Sequence, residues 1–312
     1  MPLASTTISC PAKVNFALSV GAPNTQGMHE IVSLMAAVNF SDELSLQVSE
    51  ELGSAFDISF APSPPNATER TTVDWPLESD LAYRAHQLLQ NYCEKPLPVN
   101  ARIAKRIPTG AGLGGGSSDA AGMLVGLDRM FDLKIEKQNL IKLSSELGSD
   151  VAFFVSTLAD KEKQAAIVSG LGDVVEPVAA LSITHLVLVF PPFGCQTSKV
   201  YHAFDKMHHF AKEEVLSQHH RALATHKVRE LAEADPLPQD GPFNDLAEPA
   251  CLTEPRLQQA RKQVEDAMQL PVHITGSGST MFVVAPSALT ASVLVRKVEA
   301  LTEMPAIATR TL

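Results

Sequence analysis

The sequence predicts an α+β fold built as two domains, and three observations lead there. The chain has 312 residues, 45% of them apolar and 19% charged, enough to bury a sizeable core in one large domain or two ordinary ones. Stretches of strand character and of helical character come in blocks, without the regular alternation of a parallel doubly wound sheet. A charged, glycine-free connection near residues 158–165 offers a boundary, giving domains of 1–160 and 161–312. No internal repeat is visible.

In the first half, residues 6–20 alternate Ile8, Cys10, Ala12, Val14, Phe16 and Leu18 with smaller or polar partners, the period-2 pattern of a strand. "DELSLQV" and "FDISF" read as further strands. The proline-rich stretch 61–76 reads as a surface loop and residues 77–92 as a helix. "VNARIAKRIP" alternates Val99, Ala101 and Ile103 against polar partners until Pro108 stops it. After a glycine-rich segment, Ala120, Ala121, Leu124, Leu127 and Phe131 recur at helical spacing. A second helix runs through "EKQNLIKLSSEL" to Gly148, a left-handed stop.

The second half opens on "THLVLVFPP", a buried strand, followed by a long polar helical region over 199–234. "EADPLPQDGPFND" reads as a loop and "PRLQQARKQVEDAM" as a helix. "VHITGSGSTMFVVAP" reads as a hairpin around a glycine turn, "ASVLVRKVEAL" as a helix and "AIATRT" as a last strand.

The net charge of −10 disfavours nucleic acid and anionic membranes as partners, so a negatively charged substrate needs a locally positive site. Cys10, Cys93, Cys195 and Cys251 lack the close spacing of a zinc or redox motif and read as free thiols. No basic start followed by a long apolar run is visible, and no apolar stretch reaches membrane-spanning length, so the expected location is cytoplasmic. His202, His208, His209, His219, His220 and His226 read as a solvated helical face, because adjacent histidines diverge by about 100° on a helix and chelate poorly.

The segment "RIPTGAGLGGGSSDAAG", residues 106–122, carries the chemistry. Gly110, Gly112 and Gly115 spell G-x-G-x-x-G, but the acidic residue ending a second strand, which a dinucleotide site needs, is not in place. No lysine follows the last glycine, which excludes a Walker loop. A phosphate cradle remains: glycines let several backbone N–H groups approach an anion, and Ser117 and Ser118 stand where a helix should begin. A serine hydroxyl there can also contact a bound Mg²⁺.

This loop resembles the P-x-G-x-G-L-G-S-S-[SA]-A pattern of the galactose, homoserine, mevalonate and phosphomevalonate (GHMP) kinases. Its doubled serine after three glycines resembles the branch of 4-diphosphocytidyl-2-C-methyl-D-erythritol kinases. "CPAKVNFALSV", "QGMHEI", "ELGSDVAFFV", "FNDLAEPA" and "ITGSGSTMFVV" resemble further segments of that branch, in family order along nearly the whole chain. Four departures stand out. Met28 replaces an aromatic residue, Ala152 replaces a proline, Ala247 displaces an acid to Glu248, and a basic residue is missing from "GAPNTQG".

The resemblance implies a two-domain GHMP fold with the active site in the interdomain cleft, and ATP-dependent phosphorylation of the 2-hydroxyl of a cytidine diphosphate polyol. ATP is the implied co-substrate, with Mg²⁺ bound alongside it. Pro108, Gly110, Gly112, Leu113, Gly114, Gly115, Gly116, Ser117 and Ser118 would hold ATP, with Ser118 also touching the metal. Asp150 would take the hydroxyl proton, a role position alone does not separate from helix capping. Lys13, unexpected on an apolar strand, would keep that carboxylate ionised, although a lysine there can also snorkel to the surface. Asn15, Met28, His29, Thr197, Tyr201, Gly276, Ser277 and Gly278 would line the substrate site. A sister kinase for another small alcohol and a non-catalytic ATP-binding relative remain the alternatives.

Overall fold

The computed structural model describes residues 4–51, 53–62, 71–160, 162–178, 181–208 and 214–312. Residues 63–70 of the expected surface loop, and His209, lie outside them. Two long strands open the chain, β1 (Ser5–Pro23) and β2 (His29–Val48). Burial alternates in β1 only up to Cys10 and in β2 only after Val38; between these points both faces are covered. That explains why only "DELSLQV" is legible as a strand within β2. Residues 31–38 are buried on both sides and carry a continuous apolar run instead of an alternation.

The chain forms two compact units that are not consecutive stretches. The first comprises Met1–Ala12, Phe40–Pro108 and Gly114–Lys163; the second comprises Lys13–Asn39, Thr109–Leu113 and Gln164–Leu312. One junction, at Lys163, falls beside the expected boundary at 160. Residues 13–39 and 109–113 belong to the second unit nonetheless, because β1 and β2 are long enough to run through both.

In the first unit β3 (Ala55–Phe60) pairs with β4 (Thr71–Thr72), and β5 (Val99–Lys105) lies parallel to β3 and antiparallel to β2. The helices are α1 (Leu81–Cys93), α2 (Gly115–Met130), α3 (Lys137–Ser144) and α4 (Val151–Ala159), with a 3₁₀ turn at Leu77–Ser79 preceding α1. Asp80 caps α1, its carboxylate accepting from the N–H of Ala82 and Tyr83. Helices α1, α3 and α4 all pack on α2. Helix α2 is buried along most of its length and lies hard against the strands. A Cβ on Gly122 would stand 2.5 Å from Cys10 Sγ, and one on Gly126 would stand 2.4 Å from Ile8 Cδ1. Those two glycines, one helical turn apart, set how closely α2 approaches the sheet.

In the second unit β6 (Ala165–Gly170) pairs antiparallel with the first part of β2 and with β7 (Val174–Pro177). Neither was legible as a strand. Strand β8 (His185–Val189) leads into α5 (Thr197–His208) and α6 (Glu214–Ala232). The polar region 199–234 is thus two helices, not one. Within the expected loop at Phe243, β9 (Phe243–Asn244) adds parallel to β1. It is followed by α7 (Ala247–Thr253), α8 (Pro255–Met268) and the hairpin β10 (His273–Ile274) with β11 (Met281–Ala285). Helix α9 (Ala288–Thr302) and β12 (Ala306–Arg310) complete an antiparallel sheet ordered β10-β11-β8-β12. Phe16 of β1 meets Phe282 of β11 edge to face at 5.8 Å in the core of this unit.

Candidate active site

Lys13 sits on the buried stretch of β1 and is 3% exposed, so it is no snorkelling surface lysine. A buried ammonium needs partners. Its Nζ donates to Asn15 Oδ1 at 2.5 Å, two residues along on the same face of the strand. Asn15 is in turn held on several sides. Its backbone N–H donates to Thr275 Oγ1 at 3.0 Å, its Oδ1 also accepts from that hydroxyl at 3.3 Å, and its Nδ2 donates to Ser33 Oγ at 2.9 Å. Asn15, expected to meet substrate directly, therefore also orients Lys13. Thr275 and Ser33 were not singled out from sequence, because a single hydroxyl on a strand carries no pattern.

Two glycine segments of this unit press together backbone to backbone. Gly112 has φ +76°, and a Cβ there would stand 2.3 Å from the Thr275 carbonyl oxygen. A Cβ on Gly276 would stand 3.1 Å from the Gly112 carbonyl oxygen and 3.3 Å from Lys13 Nζ. The N–H of Lys13 donates to the Leu113 carbonyl at 3.0 Å, and the N–H of Thr280 to that of Ala111 at 3.2 Å. Asn244 holds the second segment, its Nδ2 donating to the carbonyls of Ile274 and Gly276, both at 2.8 Å. Asp245 binds Ser19 Oγ and the Val20 N–H, each at 2.9 Å, which fixes that chain stretch to β1. Thr197 Oγ1 lies 2.9 Å from Ser277 Oγ, so this pair of predicted site residues meets.

At the far end of β1 in the same unit, the His29 ring lies 4.9 Å from the Tyr201 ring and 5.9 Å from that of Phe204. His29 Nδ1 is 2.9 Å from the Gly21 carbonyl, which makes Nδ1 the donor, and Nε2 faces Asp205 Oδ1 at 3.5 Å. Met28 beside it is 49% exposed. Its N–H is held by the Asn24 carboxamide at 3.0 Å, in the turn linking β1 and β2.

In the first unit, helix α2 starts at Gly115, two residues earlier than Ser117, and Gly114 in the left-handed region (φ +71°) is its N-cap. The N–H of Ser118 bonds the Gly114 carbonyl at 2.9 Å. The amides from Gly114 to Ser117 precede the first intrahelical bond, and no acidic residue occupies the first turn. Ser118 is fully buried and its hydroxyl has no hydrogen-bond partner. Asp150 is the N-cap residue of α4, and its carboxylate makes no capping hydrogen bond to that helix.

A buried ionic cluster lies beside this loop end. Lys105 Nζ donates to Asp42 Oδ2 at 2.7 Å and to Asp119 Oδ2. Burial alone would depress the Lys105 ammonium, but the two carboxylates reverse that and hold it protonated. This cluster was missed, although the signal was present. Lys105 and Asp42 occupy the inward positions of alternating strands, after Ile103 and before Leu44.

Burial pushes the thiols of Cys10 and Cys195 up, the latter to about 11, and all four cysteines are free. Among the described residues no group of three His, Cys, Asp or Glu is placed to hold a metal ion. His202 and His226 are exposed, as expected of a solvated face. No helix among the described residues is long and apolar enough to cross a membrane.

Residues 80–157 match the family described as GHMP kinases N terminal domain. The chain is 31% identical over 289 residues to 4-diphosphocytidyl-2-C-methyl-D-erythritol kinase of Paenarthrobacter aurescens (strain TC1), covering 92% of this chain and 87% of that one. To the enzyme of the same name from Mycolicibacterium gilvum (strain PYR-GCK) it is 30% identical, over 92% of this chain and 84% of the other. A crystal structure of 4-(cytidine 5'-diphospho)-2C-methyl-D-erythritol kinase superposes with a TM-score of 0.70 at 29% identity, over 98% of this chain and 100% of that one. Homoserine kinase from Cytophaga hutchinsonii shares the fold, with a TM-score of 0.68 at 16% identity.

The glycines separate by what an added Cβ would meet. Gly112→Ala is expected to cost about 2–5 kcal/mol, from positive φ plus overlap with backbone, whereas Gly110→Ala should cost about 1–2 kcal/mol. A Cβ at Gly110 meets nothing within 4 Å. Urea unfolding of both variants checks the difference. Gly115 is a poor probe of ligand contact, since a Cβ there strikes Ile107 at 2.9 Å. At Gly116 the nearest atom is Leu81 Cδ1 at 3.5 Å. Gly116→Ala keeps the backbone N–H, so it should fold normally and weaken ATP binding only by crowding the phosphate's approach, by about 10-fold or less. Unchanged affinity in a nucleotide titration would contradict the phosphate cradle.

Proposed function

This chain belongs to the 4-diphosphocytidyl-2-C-methyl-D-erythritol kinases of the GHMP family, and we propose on that basis that it transfers the γ-phosphoryl group of ATP to the 2-hydroxyl of 4-diphosphocytidyl-2-C-methyl-D-erythritol, in non-mevalonate isoprenoid precursor synthesis. The observation that carries the reading is Lys13, 3% exposed, its amine fixed by Asn15 against the Gly276 backbone. Burying an ammonium on an apolar strand is costly, which makes Lys13 a candidate for use in the chemistry.

Phosphoryl transfer needs a held γ-phosphate, a positioned hydroxyl and a destination for its proton. The amides of Gly114, Gly115, Gly116 and Ser117 offer the positive end of α2 to the phosphates. Pro108, Gly110, Gly112 and Leu113 shape the approach to them. Ser118 fits a nucleotide-bound Mg²⁺, because its buried hydroxyl lacks any other partner. Among the described residues there is no carboxylate cage, so the nucleotide would supply most of the metal's ligands. The metal, when bound, neutralises charge on the phosphates.

Asp150 accepts the hydroxyl proton and Lys13 stabilises the alkoxide as it forms. The His29–Tyr201 pair and Met28 cover the cytosine ring, while Thr197 and Ser277, already hydrogen-bonded to each other, and the amides of Gly276 and Gly278 meet the polar remainder of the substrate. The enzyme works, in this reading, in the cytoplasm, where its four thiols stay reduced.

Asp150→Asn should fold and bind ATP while turnover falls by about 10²–10⁴, the range for loss of a general base. Near wild-type turnover would remove Asp150 from the chemistry. A substrate panel with ATP and Mg²⁺, following ADP release, tests the acceptor. Met28→Tyr should lower KM for the cytidine substrate by about 10-fold with little change in kcat, since stacking on a base is worth about 1–3 kcal/mol. Equal turnover of a simple alcohol lacking cytidine would move the chain to a sister specificity within the kinase class.

A further inference from the structure

The Lys105 cluster has no part in the reaction as assigned, yet it joins the two ends of the phosphate loop. Lys105 ends β5, Asp119 lies in the second turn of α2, and Asp42 of β2 faces the lysine; their exposures are 3%, 3% and 0%. Asp42 Oδ1 accepts from the backbone N–H of Arg106 and, at 2.7 Å, of Ile107. The Ile107 side chain is the surface that a Cβ on Gly115 would strike at 2.9 Å. A continuous path therefore runs from Asp119 through Lys105 and Asp42 to Ile107 and back to the first residue of α2. We propose that Asp119 is a positioning residue for the nucleotide. Through Lys105 and Asp42 it braces the first turn of α2 against the end of β5, and so fixes the spacing of the amides that receive phosphate. This rests on the reading that those amides bind ATP.

The two carboxylates are not equivalent. Asp42 places its oxygens on Lys105 and two amides, whereas Asp119 Oδ1 is buried without a hydrogen-bond partner. Burial raises the Asp119 carboxyl to about 8; Lys105 opposes the rise, and Asp42 and Asp80 add to it. The titratable groups facing it are Cys10 from β1, Asp42 from β2, Lys105 from β5 and Asp80 ahead of α1. Cys10 is itself raised well above the usual thiol range by burial. The brace hangs on one Asp119 oxygen, Oδ2, the one that meets Lys105.

The test is calorimetric titration of the full chain with Mg²⁺–ATP at pH 7, on wild type, Asp119→Asn and Asp119→Ala. Asparagine keeps an acceptor oxygen for Lys105. It should bind ATP as wild type does, and Asp119→Ala should bind about 10–100-fold more weakly, the loss of one hydrogen bond to a charged group. KM for the alcohol substrate should not move in either variant. Wild-type affinity in Asp119→Ala, or equal weakening in both variants, would overturn the proposal. Should Asp119→Ala not fold, Asp119→Ser, too short to reach Lys105, takes its place with the same expected loss. A wild-type chain that binds no ATP overturns this inference with the nucleotide reading; one that binds ATP but ignores the cytidine substrate overturns only the substrate assignment.

Discussion

A charge taken out of water must be met by partners, and two buried lysines organise this chain around that requirement. Lys13 is met by Asn15, and Asn15 by Thr275 and Ser33, so one ammonium recruits a strand, a second strand and a glycine turn. Lys105 is met by two carboxylates, one of which also grips the backbone where β5 ends. Lys105 ends a strand that is otherwise apolar on its inner face, and Lys13 shares its buried face of β1 with Asn15. Each has its surroundings held by bonds that a surface lysine would never need.

Glycine plays two physically distinct parts around these charges. Gly112 and Gly276 let two backbones approach to distances that any side chain would forbid, which brings carbonyls and amides to Lys13. Gly122 and Gly126 do the same for α2 against β1 and β2. Gly114 differs from these, since at φ +71° it turns the chain into the helix, and Gly116 in the first turn has room for a Cβ against Leu81. A motif that lists glycines by spacing merges these parts, and only the neighbours of each missing Cβ tell them apart.

Most of the elements legible in the sequence have one wet face, whereas β8 is buried almost throughout and was legible as an uninterrupted apolar run. The start of β1, the end of β2, β5, α8 and α9 each show a clear period, and each is where the pattern put it. Residues 31–38 and the strand β6 are apolar on both sides, so no period marks them. β9 is two residues long and exists because β1 offers an edge to pair with. Helix α2 begins at Gly115 although serines are the better caps, because Gly114 can take the left-handed conformation that starts the helix earlier.

By itself the sequence determined the family: a glycine-rich loop and five further segments in a fixed order, the first of them carrying the lysine on an apolar strand. It also fixed an α+β composition, because blocks of period 2 and period 3.6 are local properties of the chain. The tertiary structure decided what those residues touch. That Thr275 holds the Asn15 that orients Lys13, that His29 packs against Tyr201 from 172 positions away, and that Asp42 and Asp119 share Lys105 are contacts between distant positions. Such contacts depend on which strands pair and on how closely α2 approaches them, and no local period in a single sequence encodes either.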